Sequence, residues 1–122
     1  MHAWSCMTLD GGEIPVTQPS AGGRDAVRST VPKMIEVTED VIYGDIWERP
    51  ELSKRDRSLV VLATLISTYR PEQLRGHLGR ALDNGVTKVE ISELITHLAF
   101  YSGWPASMTA ARIATEVFEE RG

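Results

Sequence analysis

Residues 53–67 read SKRDRSLVVLATLIS. Ser53 and Asp56 have the spacing of a capping box, with Asp in place of the usual Glu or Gln, so a helix is predicted to open here. The run that follows, from Ser58 to Ser67, is apolar on nearly every side of that helix. Such a helix has no solvent face to offer and is predicted to lie enclosed at the centre of a helical bundle.

Downstream, Tyr69-Arg70-Pro71 breaks the pattern and Glu72 to Asn84 resumes it. Leu74, Leu78, Ala81 and Leu82 mark the inner face of that helix, and Asn84-Gly85 supplies a left-handed stop. Thr87, with Glu90 three residues on, is a second capping box, opening a helix that runs to Ser102 and ends at Gly103. Pro105 then suits the first turn of a last helix reaching about Glu120. Along it Ala106, Ala110 and Ala114 recur every fourth residue, a strip of small side chains on which another helix can pack closely.

Upstream, Val31 to Tyr43 reads as a helix with Pro32 in its first turn and Met34, Val37 and Val41 on one face. Gly44 interrupts it, and DIWERPEL is a turn-rich link in which Pro50 bars continued helix. Residues 1–23 hold four glycines, two prolines and no helical period, so they read as an irregular arm. No stretch alternates as a strand does. The expectation is therefore an all-α bundle of about five to six helices, a single domain over residues 24–122 behind an arm at 1–23.

The totals narrow the function classes. The chain has 122 residues, 42% of them apolar, and a net charge of −4. Mild acidity with scattered basic residues gives no reason to expect nucleic acid or an anionic membrane as partner. The longest unbroken apolar run, Leu59 to Ala63, is far too short to span a bilayer, and the first residues do not read as a secretory signal. A cytoplasmic protein is the expectation. Cys6 is the one cysteine, so there is neither an intramolecular disulfide nor a Cys-x-x-Cys pair. Three histidines without a matching cluster at ligand spacing give no metal site. Phosphate loops, His-Glu-x-x-His and Gly-x-Ser-x-Gly are not found either.

The polar residues on these helices carry the remaining chemistry. His77 flanks the apolar face of its helix, either as a core-edge imidazole bonded to a carbonyl or as an acid or base near neutral pH. Glu93, His97 and Tyr101 stand four residues apart in a row beside the stripe of Ile91, Leu94, Ile95 and Leu98. A carboxylate there can orient an imidazole, and a phenol one turn on can donate to a substrate oxygen. A surface Glu–His pair with a tyrosine reaching water is the other reading. Phe100 and Val89 also fall outside the stripe, which points to cover on a second side of this helix, a subunit contact as much as a core. Arg55 and Arg57 lie in a helical first turn, where the dipole disfavours cations by up to ~1 kcal/mol. Either neighbouring acids neutralise them, or they hold an anion together with the helix end and Arg49.

The strings VIYGDIWERPELSKRDRSLVVLATLIS and LRGHLGRALDNGVTKVEISELITHLAFYSGWPAS together resemble the carboxymuconolactone decarboxylase family. The resemblance covers about Val31 to Phe118. It is carried by Tyr-Gly-Asp-x-Trp, Arg-Asp-Arg, Gly-His-Leu with Ala-Leu-x-Asn-Gly, and Ala-Phe-Tyr-x-Gly-Trp-Pro. It implies helical protomers assembled into homo-oligomers, commonly trimers or hexamers, with active sites near subunit contacts. The implied reaction removes CO2 from a small carboxylated lactone or oxo acid in aromatic-compound degradation, with no cofactor.

A second branch, similar to alkyl hydroperoxidase D, is a thiol peroxidase with Cys-x-x-Cys ahead of the histidine matched by His77. Here those cysteine positions fall on Arg70 and Gln73, and an early acid of the central helix falls on Ser58. Without a thiolate and a resolving thiol, peroxidase chemistry has no nucleophile.

In the decarboxylase reading the conjugated lactone is its own electron sink. The protein must then hold a second carboxylate, stabilise an enolate oxygen and deliver a proton. His77 is expected as the proton donor, and His97 or Tyr101 as donor to the enolate oxygen, with Glu93 behind His97. Arg49, Arg55 or Arg57 is expected on the carboxylate, with Trp104 of the Gly-Trp-Pro stop also against the substrate. The two imidazoles are expected to face one cleft closed to water. A non-catalytic oligomer that binds a small acid is the alternative.

Overall fold

The structure, a computed structural model, describes residues 19–122, with side chains from residue 23 onward. Most of the expected irregular arm, residues 1–18, lies outside the described residues. All regular structure among the described residues is helical. It comprises α1 (Pro19–Val27), α2 (Pro32–Val37), α3 (Lys54–Ser67), α4 (Pro71–Asp83), α5 (Lys88–Ser102) and α6 (Trp104–Glu120). The chain forms two compact units, one ending at Ile46 and one running from Trp47 to Gly122.

In the first unit, α1 begins inside the segment read as irregular. Arg28 links the helices: its guanidinium donates to Asp25 at 2.7 Å and to both carboxylate oxygens of Glu39 at 2.6 and 3.1 Å. Those bonds, Glu39 first and Asp25 second, make the guanidinium hold its proton still more tightly than usual. Arg24 lies over the Tyr43 ring, 5.0 Å from its centroid. The helix expected from Val31 to Tyr43 exists but changes type, α-helical to Val37 and then π-helical over Thr38–Tyr43. Its expected inner face is reversed as well: Met34, Val37 and Val41 are exposed and Ile35 is buried. The wider π-turns shift the register of Val41, which lies within them, away from the constant 3.6-residue period.

In the second unit the start and stop signals work as read. Ser53 caps α3, its hydroxyl accepting from the Asp56 N–H at 3.0 Å. The Thr87–Glu90 capping box of α5 is reciprocal. α4 ends in a Schellman motif: Val86 N–H donates to Ala81 O at 2.9 Å and Gly85 N–H to Leu82 O at 3.1 Å, with Gly85 at φ 99°. Val86, just beyond, is buried and completes the motif's apolar contact. α3 ends in the same motif with a tyrosine where glycine is usual. Tyr69 sits at φ 57°, while Arg70 N–H donates to Leu65 O at 2.8 Å and Tyr69 N–H to Ile66 O at 3.2 Å.

The core joins Leu62 and Ile66 of α3, Leu74, Leu78 and Ala81 of α4, Val86 of the link that follows, Ile91 and Ile95 of α5, and Ala110, Ile113, Ala114 and Val117 of α6. α3 packs on α4, α5 and α6, and α6 packs on α4 and α5. The alanine strip does what its size allows: Ala110 and Ala114 are buried where α6 meets its neighbours. Ser107 pins the α5–α6 contact, its buried hydroxyl donating to Ile95 O at 3.0 Å. One expectation needs correcting. α3 is not enclosed on all sides, because Val60 is 57% exposed and Thr64 lies exposed one turn on. Only its Ser58–Leu62–Ile66 edge is fully buried.

Candidate active site

The link before α3 is held at both ends. Trp47, in a single 3-10 turn over Ile46–Glu48, is buried, and the Arg80 guanidinium of α4 lies 5.8 Å from its ring centroid. At the other end Arg57 reaches back from the first turn of α3. Its Nε donates to Leu52 O at 3.0 Å and its Nη2 to Arg49 O at 3.3 Å. Arg49 itself is exposed, 3.7 Å from Glu51.

Arg55 is engaged differently. It bonds Glu90 at the start of α5 and stands 3.5 Å from Asp56. Glu90 is shared: its other oxygen accepts from the Thr87 N–H at 2.9 Å. That backbone bond, and then the Arg55 guanidinium, hold the Glu90 carboxyl below its ordinary range. The three arginines expected at one anion site therefore divide into an ion-paired Arg55, a main-chain-bonded Arg57 and an exposed Arg49.

His77 is half-buried on α4, one residue before the fully buried Leu78 and three before Arg80. His97 and Tyr101 do touch, with ring centroids 5.0 Å apart and planes tilted by 40°. Their row is on the surface of this chain: Glu93 and His97 are exposed and Tyr101 is 78% exposed. Trp104 continues the strip, edge-on to Phe100 at 5.3 Å, with Phe100 74% and Trp104 57% exposed. The two imidazoles stand on separate helices, α4 and α5, and differ in burial, with His77 half-buried and His97 exposed. His97 lies in the open rather than in the water-closed cleft expected for both.

Two features were not legible in the sequence. The Trp47–Arg80 contact joins residues far apart in the chain, and no local spacing signals it. Ser58, in the place of the peroxidase branch's acid, is buried and accepts from Asn84 Nδ2 at 3.0 Å. A hydroxyl bonded to an amide there joins α3 to the end of α4 and is no proton relay. Among the described residues no group of three His, Cys, Asp or Glu side chains could hold a metal ion, and no helix is long and apolar enough to cross a membrane.

Comparison with known proteins places the chain in a family. The model of the carboxymuconolactone decarboxylase family matches residues 32–116. A 4-carboxymuconolactone decarboxylase of Acinetobacter baylyi is 46% identical over 80 residues, 66% of this chain and 60% of the relative. A nitrosuccinic acid decarboxylase of Metarhizium robertsii is 33% identical over 97 residues, 80% of this chain and 67% of the relative. An uncharacterized 15.0 kDa protein of Paracoccus denitrificans is 30% identical over 97 residues, 78% of this chain and 72% of the relative. The chain thus spans about 60% of the length of the Acinetobacter enzyme. The matched residues include α3 to α5 whole and most of α6, with His77, the three arginines and the aromatic strip among them, and the chain belongs to the carboxymuconolactone decarboxylase family.

Proposed function

We propose that the protein is a cofactor-free decarboxylase, a carbon–carbon lyase acting on a small carboxylated lactone or oxo acid. The observation that carries this reading is what two relatives share in their substrates. One acts on a conjugated lactone acid and the other on a nitro acid. In both, electrons left behind by CO2 can flow onto oxygen within the substrate, as an enolate or a nitronate. Carbon must then be protonated. A protein serving such substrates supplies an anion anchor, a donor to the developing oxyanion and a proton, which this chain's residues can provide.

His77 is the proton donor in this reading, because a half-buried imidazole beside the fully buried Leu78 is held in place at the edge of the core, where it can hand a proton to carbon. His97 or Tyr101 donates to the oxyanion, with Glu93 behind His97 and Trp104 against the substrate. Their exposure in one chain fits a site completed at a homo-oligomer contact, a trimer or hexamer. Val89, Phe100, Tyr101, Trp104 and Met108 form too much exposed apolar surface for a helix pair that faces only water. Breakdown of aromatic compounds in the cytoplasm is the setting this chemistry suits.

The test is CO2 release from γ-carboxymuconolactone. Wild type is expected to turn over, and His77→Ala to lose on the order of 10²–10⁴ in kcat while staying helical by circular dichroism. Near-wild-type turnover in that variant would remove His77 from the mechanism. Binding without CO2 release would leave the non-catalytic acid-binding alternative.

A further inference from the structure

The division of labour among the three arginines goes further than a shared anion site. Arg55 carries two carboxylates, Glu90 and Asp56, so a substrate acid there would compete with both. Arg57 spends its Nε and one Nη on the carbonyls of Leu52 and Arg49. Charge-assisted bonds of this kind fix the main chain they reach. Arg49, by contrast, has a side chain 55% exposed and an ion pair to Glu51 at 3.7 Å, a loose surface contact that an incoming anion can displace.

The link's place in the fold gives Arg49 a target. Trp47, two residues earlier, is buried against the Arg80 side chain of α4. Arg80 and His77 are one turn apart on that helix and share a surface. Two residues of extended chain span at most ~7 Å, so Arg49 is tethered near the part of α4 that carries the proposed proton donor. Pro50 removes one backbone freedom on its other side. The turn from Arg49 to Leu52 lies between, and Arg57 holds it by the carbonyls of its two end residues.

We infer that Arg57 is a positioning residue: it clamps the turn from Arg49 to Leu52 so that the Arg49 guanidinium receives the substrate's non-reacting carboxylate. This rests on the decarboxylase reading for the identity of the substrate. The anchor and its clamp can be tested without that reading, using succinate, a dicarboxylate with no electron sink, as a binding probe.

The experiment is a double-mutant cycle on the full chain with Arg49→Met and Arg57→Met. Succinate affinity is measured by titration, with KM and kcat for γ-carboxymuconolactone alongside. Arg49→Met is expected to weaken succinate binding and raise KM by about tenfold or more, with a smaller change in kcat. Arg57→Met is expected to move both constants the same way, and to add nothing once Arg49 is gone. A general packing defect would instead multiply with the loss of Arg49. Multiplying effects overturn the clamp, as does wild-type behaviour of Arg57→Met. Wild-type succinate affinity in Arg49→Met overturns the anchor, and so does a wild-type protein that does not bind succinate. If Arg57→Met loses its helical circular dichroism, Arg57→Gln, which keeps an amide donor, takes its place in the cycle. Succinate binding without CO2 release would sink the decarboxylase reading while the cycle still decides the clamp.

Discussion

The Arg55 guanidinium donates to one oxygen of Glu90 while the other oxygen accepts from the Thr87 N–H at 2.9 Å, so a single carboxylate joins the first turns of α3 and α5. The cap of one helix is thereby also the counter-ion of the cation at the start of another. This resolves the apparent cost of a cation at the positive end of α3: Glu90 and Asp56 neutralise it locally.

The same pair sets a pH dependence. The folded-state pKa of Glu90 is lowered, so its contribution is fully present above the unfolded carboxyl pKa and is lost as pH falls through the folded value. Thermal melts of wild type and Glu90→Gln should differ by a constant Tm gap above about pH 5, closing progressively below about pH 4. A gap that persists unchanged into acid would mean the charge is not what matters.

Tyr69 offers a stabilising substitution. It occupies the left-handed position of the α3 stop at φ 57°, where an L side chain costs ~1–2 kcal/mol and glycine's extra chain entropy costs ~0.5–1. Because the ring is exposed and little packing is at stake, Tyr69→Gly should raise unfolding stability by up to ~1 kcal/mol in urea titration. A clear loss of stability would show that the ring makes a contact worth more than the strain.

Tyr69 also marks where reading the sequence stops working. Ser53, Thr87, Gly85 and Gly103 announced their caps and stops because each residue type suits its local backbone. The apolar faces of α4 and α5 and the alanine strip of α6 were legible for the same reason, since a helix in a uniform register shows its core side by period alone. Tyrosine does not announce a left-handed stop, and a π-helical stretch breaks the very period used to place Val41 on a face with Met34 and Val37. Trp47 on Arg80 and Arg57 on the Arg49 carbonyl depend on how chain segments come together. Partners within one helix, such as His97 and Tyr101, could be read from spacing, but partners on other segments could not.

Gly44 is held by space rather than by backbone angle. Its φ of −82° suits any residue, yet a Cβ there would lie 2.6 Å from the Asp40 carbonyl oxygen and 2.9 Å from that of Glu39. Neither atom is a side-chain tip that can swing away. Gly44→Ala must therefore loosen the end of the π-helical stretch, at about 1–3 kcal/mol by analogy with overpacked sites. Amide hydrogen exchange should show faster exchange over residues 38–45, and unchanged protection there would refute the clash.

The aromatic strip at the α5–α6 corner bears on assembly. Phe100 and Trp104 pair edge to face at 5.3 Å, and both are mostly exposed in this chain. Such rings lose contact area to water unless another surface covers them, and a second copy is the cover proposed here. Phe100→Ser removes the ring and leaves α5 otherwise intact, because the helix is anchored from its other side by Ile91, Ile95 and Ala99. Sedimentation velocity should then show a shift from oligomer toward protomer, with helical circular dichroism unchanged. A wild-type distribution for Phe100→Ser would place any subunit contact elsewhere, and His97 and Tyr101 would have to work without a partner closing over them.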